Sequence, residues 1–78
     1  MITMMSRYAV FCAVVERGSF TAAAAALNYS QSAVSQAVKA LEQELGAALI
    51  SRETRRLTLT RDGEGYLPYI QEVVAAEA

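Results

Sequence analysis

The stretch from Asn28 to Leu45, closed by Gly46, constrains this chain more than any other. Val34, Val38, Leu41 and Leu45 recur at intervals of four, three and four, an apolar stripe at helical period. Ser30 stands where an N-cap is needed, its hydroxyl placed to accept from an unpaired amide of the first turn. Gly46 supplies the stop. The segment therefore reads as a short turn, a capped start, an amphipathic helix over about residues 31–45 and a glycine end. Its other face is polar but nearly free of charge: Gln31, Ser32, Ser35, Gln36 and Lys39. Two readings of that face stand side by side. Gln can bond bidentately to adenine, Ser can donate or accept, and the amides and dipole of a helix start attract phosphate. Alternatively, the face is a polar surface that merely avoids charge. The neighbouring segments decide between them.

Upstream, Tyr8, Phe11, Val14 and Val15 share one face of a first helix predicted from about Ser6 to Arg17, and Gly18 can end it in a left-handed conformation. Ser19 then caps a second helix, about Phe20 to Leu27. Its Ala22–Ala26 run combines the best helix former with room for close backbone approach. Asn28 and Tyr29 make the turn into the third helix. Two helices joined by so short a turn constitute a helix-turn-helix.

Downstream of Gly46 the period changes. Leu57-Thr58-Leu59-Thr60 alternates as a short strand does, and Ile50–Arg52 is its expected partner. Glu53-Thr54-Arg55-Arg56 would form the hairpin tip, and two adjacent arginines there give it the form of a DNA-binding wing, the alternative being a solvated turn. Thr60 can cap a last helix from about Arg61, with Asp62 and Glu64 complementing its dipole. Gly63 and Gly65 weaken that start, and Pro68 sits too far in for comfort. A late start near Glu64 would leave Pro68 close to the tolerated first turn. Tyr66, Tyr69, Ile70, Val73 and Val74 then make an apolar stripe with too little partner surface in so small a body, which points to a homodimer through this helix.

Seventy-eight residues make one small domain, residues 1–60 as the helix-turn-helix and wing and 61–78 as a linker helix. The net charge of −1 hides an asymmetry. Residues 1–60 hold six Lys/Arg against four acids, whereas residues 61–78 hold Arg61 against four acids. A mildly basic body thus precedes an acidic tail. Cys12 is alone, which excludes a disulfide framework, and its apolar neighbours suggest a buried structural thiol. With no histidine, one cysteine and no paired acids, neither an enzyme, a metal site nor a cofactor is expected. No apolar run reaches membrane-spanning length and no signal peptide is evident, so the expected location is cytoplasmic.

Taken in order, Phe11-x-x-Val14, Gly18-Ser19-Phe20-Thr21-x-Ala23-Ala24-x-x-Leu27, Ser30-Gln31-x-Ala33-Val34-Ser35, Leu41-Glu42-x-Glu44-Leu45-Gly46, Leu49-x-x-Arg52 and Leu59-Thr60-x-x-Gly63 resemble the N-terminal winged helix-turn-helix domain of LysR-type bacterial transcriptional regulators. The resemblance spans about residues 6–78. It implies a mainly α fold of three helices, a two-stranded wing and a long linker helix that pairs with its mate in a dimer. It implies binding to double-stranded DNA, with the helix at about 31–45 in the major groove and the wing at about 50–60 on the backbone or minor groove. Gln31, Ser32, Ser35, Gln36 and Lys39 would lie at the groove, Thr21 and Ser30 near phosphates, and Arg52, Arg55 and Arg56 in the wing, with Arg52 either contacting DNA or supporting the hairpin. The resemblance further implies a sensor domain for a small-molecule inducer. This sequence lacks that domain, so the chain is expected to be either the DNA-binding part of a longer protein, the favoured reading, or an unusually short protein.

Some positions depart from the family pattern. Ser32 stands where Pro is usual, Gln36 where Arg is usual and Ile50 where Phe is usual. Ala25, Ala26 and Ala40 replace positions that are commonly charged, so the electrostatic component of binding is expected to be weak. The competing class is a protein-interaction module, favoured by the Ala-rich second helix and the apolar last one. The two classes separate on whether Gln31, Ser35, Lys39, Arg55 and Arg56 form one exposed face.

Overall fold

In the computed structural model, which describes residues 5–51 and 57–77, a serine or threonine hydroxyl starts each helix. The order is α1 (Arg7–Arg17), α2 (Phe20–Leu27), α3 (Gln31–Leu45), β1 (Ile50–Ser51), β2 (Thr58–Leu59) and α4 (Arg61–Glu77). Ser6, Ser19 and Ser30 accept from the amides of Ala9, Ala22 and Ala33 at 3.1, 2.9 and 3.0 Å. Thr60 accepts from Gly63 at 2.9 Å. Each hydroxyl satisfies one first-turn amide that the helix itself leaves unpaired. At the other ends, Gly18, Asn28 and Gly46 turn left-handed, at φ 77°, 58° and 69°. Asn28 is the non-glycine among them, and its short amide side chain tolerates that region.

α1 packs against α2, α3 and α4, and α2 packs across α3. Val10, Phe11 and Val14 of α1 meet Ala23 and Ala24 of α2, Val34, Val38 and Leu41 of α3, Leu49, Ile50 and Ile70 in one buried cluster. The α1 face expected to be buried was Tyr8, Phe11, Val14 and Val15. Because α1 is flanked on several sides, its buried arc takes in Val10, while Tyr8 and Val15 stay half-buried. Cys12 is also half-buried, less enclosed than expected, yet burial still raises its thiol pKa. β1 and β2 pair antiparallel, Ile50 with Leu59 and Ser51 with Thr58.

Of the two starts the sequence allows for the last helix, the one at Arg61 is observed and the late one near Glu64 is not. α4 begins at Arg61, because the Thr60 hydroxyl caps it there and Gly63 is buried against Leu49. Pro68 is consequently inside the helix. Its missing N–H leaves the Glu64 carbonyl without its usual partner, and both residues are exposed, so water can serve instead.

Candidate nucleic-acid interface

α3 buries Val34, Val38 and Leu41 completely, which turns the opposite stripe outward. Ser32, Gln36, Lys39 and Gln43, spaced by four, three and four, are all exposed, as are Gln31 and the capping Ser30. Ser35 lies on the edge of this face, half-buried. Thr21 is exposed in the first turn of α2. The Gln36 amide donates to the Ser32 hydroxyl at 3.4 Å, drawing the longer side chain toward the helix start. Lys39 is the single cation of α3. Gln31, Ser32, Ser35, Gln36 and Lys39, which the helical period predicts on one face, do lie on one side of α3. Its N-terminal half carries the partial positive charge of the helix dipole. At about 1.5 Å per residue the helix is about 22 Å long, and its exposed N-terminal half fits a major groove about 12 Å wide.

Arg52, Arg55 and Arg56 lie outside the described residues, and so does the pairing expected for Arg52. What the structure does describe is the base of the hairpin. The Glu42 carboxylate accepts from the Leu49 amide at 2.7 Å and the Ile50 amide at 3.3 Å. From the other side, the Thr60 hydroxyl donates to the Ala48 carbonyl at 2.5 Å, and the Thr60 amide donates to the Leu49 carbonyl at 3.0 Å. Glu42 stands in the motif Leu41-Glu42-x-Glu44-Leu45-Gly46, which by itself assigns it no role. Its one signal is an acid one turn past Lys39 on a helix face otherwise nearly free of charge.

On the opposite flank of α3, Glu44 accepts from the Arg7 guanidinium at 2.9 Å and from the Tyr8 hydroxyl. The hydrogen bond to Glu44, helped by burial, pushes the Tyr8 phenol up to about 12. Tyr8 also meets Tyr69 of α4 edge to face, with ring centroids 6.5 Å apart. Glu44 and Tyr8 were likewise not singled out from sequence as a pair, since 36 residues separate them.

The apolar stripe of α4 divides in two. Ile70 is 0% exposed in its own chain, so it cannot present itself to a partner, and the premise that the whole stripe lacks intrachain cover is corrected. Tyr66 and Val74 are half-buried against the same core, and Val73 is half-buried. Tyr69, at 49% exposure, is the stripe's outward aromatic. Among the described residues, no group of acids, histidines or cysteines could hold a metal ion, and no helix is long and apolar enough to cross a membrane.

A helix-turn-helix, a two-stranded hairpin at its flank and a long following helix are now in place. Residues 5–64 match the family model described as bacterial regulatory helix-turn-helix protein, lysR family. The chain belongs to the LysR family. It is 46% identical to the HTH-type transcriptional regulator CrgA of Neisseria meningitidis, over 99% of this chain and 27% of that protein. Among solved structures, the oxidized form of Corynebacterium glutamicum OxyR superposes with a TM-score of 0.83 at 38% identity, covering 91% of this chain and 23% of that one. The DNA-binding domain of BenM, in complex with catB site 1 DNA, superposes with a TM-score of 0.82 at 34% identity, covering 90% of this chain and 79% of that one. The chain thus spans about a quarter of the length of the LysR-family relatives it matches.

Proposed function

We propose that this chain binds double-stranded DNA sequence-specifically, as the reading head of a bacterial transcriptional regulator. The observation that carries the reading is the exposed, almost uncharged polar face of α3, from Ser30 to Lys39, on a family member whose fold matches a DNA-bound domain. α3 enters the major groove, where Gln31 and Gln36 meet base edges and Ser32, Ser35 and Lys39 meet base edges or phosphates. Ser30 and Thr21 approach phosphates, and Arg52, Arg55 and Arg56 carry the wing's contacts to the backbone or minor groove. Two chains associate through the exposed side of α4, about Tyr69, Val73 and Tyr66, and present two heads to a pseudo-palindromic site. The chain supplies a binding surface and catalyses no reaction. It acts in the cytoplasm, and any small-molecule inducer acts through a sensor domain outside this sequence.

The test is selection of bound sequences from a random duplex pool, followed by a salt titration of the winner. A consensus with two related half-sites, bound more weakly as salt rises, is the expected result. Recovery of unrelated sequences would contradict the reading.

A further inference from the structure

The base of the hairpin joins two elements that the DNA-binding reading assigns to different parts of a duplex. Its ladder covers two residue pairs, Ile50 with Leu59 and Ser51 with Thr58. So short a two-stranded ribbon is marginal by itself, and its direction depends on what grips its base. From the α4 side the grip is Thr60, on the carbonyls of Ala48 and Leu49, with Gly63 packed against Leu49. From the α3 side it is Glu42, whose carboxylate takes both the Leu49 and Ile50 amides. Charge-assisted bonds of this kind are stronger than neutral ones, and two donors on one oxygen restrict rotation as well as distance.

Glu42 lies one helical turn past Lys39, on the element that carries the groove-facing side chains. We infer that Glu42 is a positioning residue for DNA binding: its carboxylate sets the direction of the wing relative to α3, so that wing and recognition helix engage one duplex together. Glu42 touches no DNA in this account. It is half-buried, and its Oε2 is occupied by two amides of the hairpin base. The inference rests on the DNA-binding reading and adds a residue to it.

The test uses the full chain. Binding to a duplex selected from a random pool, and to its scrambled counterpart, is followed by fluorescence anisotropy over a range of salt. Glu42→Ala is expected to weaken both complexes about three- to tenfold and to flatten the salt slope by about one, as loss of a phosphate contact does. The ratio between the two duplexes should hold, because α3 keeps its own face. Glu42→Gln, whose amide oxygen still accepts, should recover most of the slope. Combined with Arg55→Ala, Glu42→Ala should add little, since both remove the same wing contact. A merely structural role would lower Tm while leaving the slope of the folded fraction intact. Should Glu42→Ala not fold, Glu42→Asp decides: its shorter side chain cannot reach both amides, and an unaltered slope would overturn the inference. A folded Glu42→Ala with an unaltered slope would overturn it equally. Absence of any binding by the unaltered chain would instead defeat the DNA-binding reading, and this inference with it.

Discussion

The carbonyl oxygen of Leu49 lies 2.1 Å from where a Cβ on residue 63 would sit, so Gly63 is what lets α4 rest on the base of the wing. Real Cβ atoms do not approach backbone that closely, and neither partner is the loose end of a side chain. Gly63→Ala is therefore expected to destabilise the domain by about 1–3 kcal/mol, net of the helix propensity that alanine adds. Gly65, two residues on in the same helix, has nothing within 4 Å of its Cβ position. Gly65→Ala should stabilise by about 0.5–1 kcal/mol. Urea unfolding of both variants checks the pair, and shifts of the same sign would contradict the packing described here.

Tyr8 provides a pH signature. Its phenol is pushed from the usual 10.0 to about 12, chiefly by donating to Glu44, so the folded state holds that proton more tightly than the unfolded chain. The associated stability is complete below about pH 10 and is lost as pH rises through about 12. Stability of the unaltered protein should fall across this window more steeply than that of Tyr8→Phe, in which the other tyrosines titrate as before. Parallel curves would show that the Tyr8 hydroxyl is not held by Glu44.

Much of this architecture is legible in the chain because its signals are local. Ser19, Ser30 and Thr60 announce helix starts, and Gly18 and Gly46 announce ends, through bonds that close within a turn. The apolar stripe of α3 is legible for the same reason. What the sequence hides is whichever partner is distant. Gly63 reads as a weak helix start until Leu49 is seen against it, and Ile70 reads as interface until α4 is seen packed on α1. Glu42 and Glu44, two residues apart, go to opposite flanks of α3 and take partners up to 37 residues away. No spacing rule within one segment reports those contacts.

Self-association separates two neighbours on α4. Ile70→Asp places a charge in a fully enclosed site and should unfold the domain, as loss of a buried aliphatic alone removes about 2–5 kcal/mol. Tyr69→Asp alters a half-exposed ring and should leave the fold intact while weakening the proposed homodimer. Sedimentation velocity with circular dichroism distinguishes them. A Tyr69→Asp protein that remains as dimeric as the unaltered one would move the interface elsewhere.

The wing and the recognition helix should fail in different ways. Arg55→Ala is expected to weaken binding to every duplex about equally and to lower the salt slope by about one, because a phosphate contact carries no sequence information. A loss confined to the preferred site would assign Arg55 to base readout instead.

The most direct test of the central claim, that the exposed face of α3 reads bases, is the affinity of Gln36→Ala for the selected duplex and for its scrambled counterpart at one salt concentration. Gln36 is exposed and drawn toward the helix start by Ser32. The account predicts a loss of about 1–3 kcal/mol on the selected duplex with little change on the scrambled one, so that the specificity ratio falls. Equal losses on both duplexes, or none on either, would contradict it.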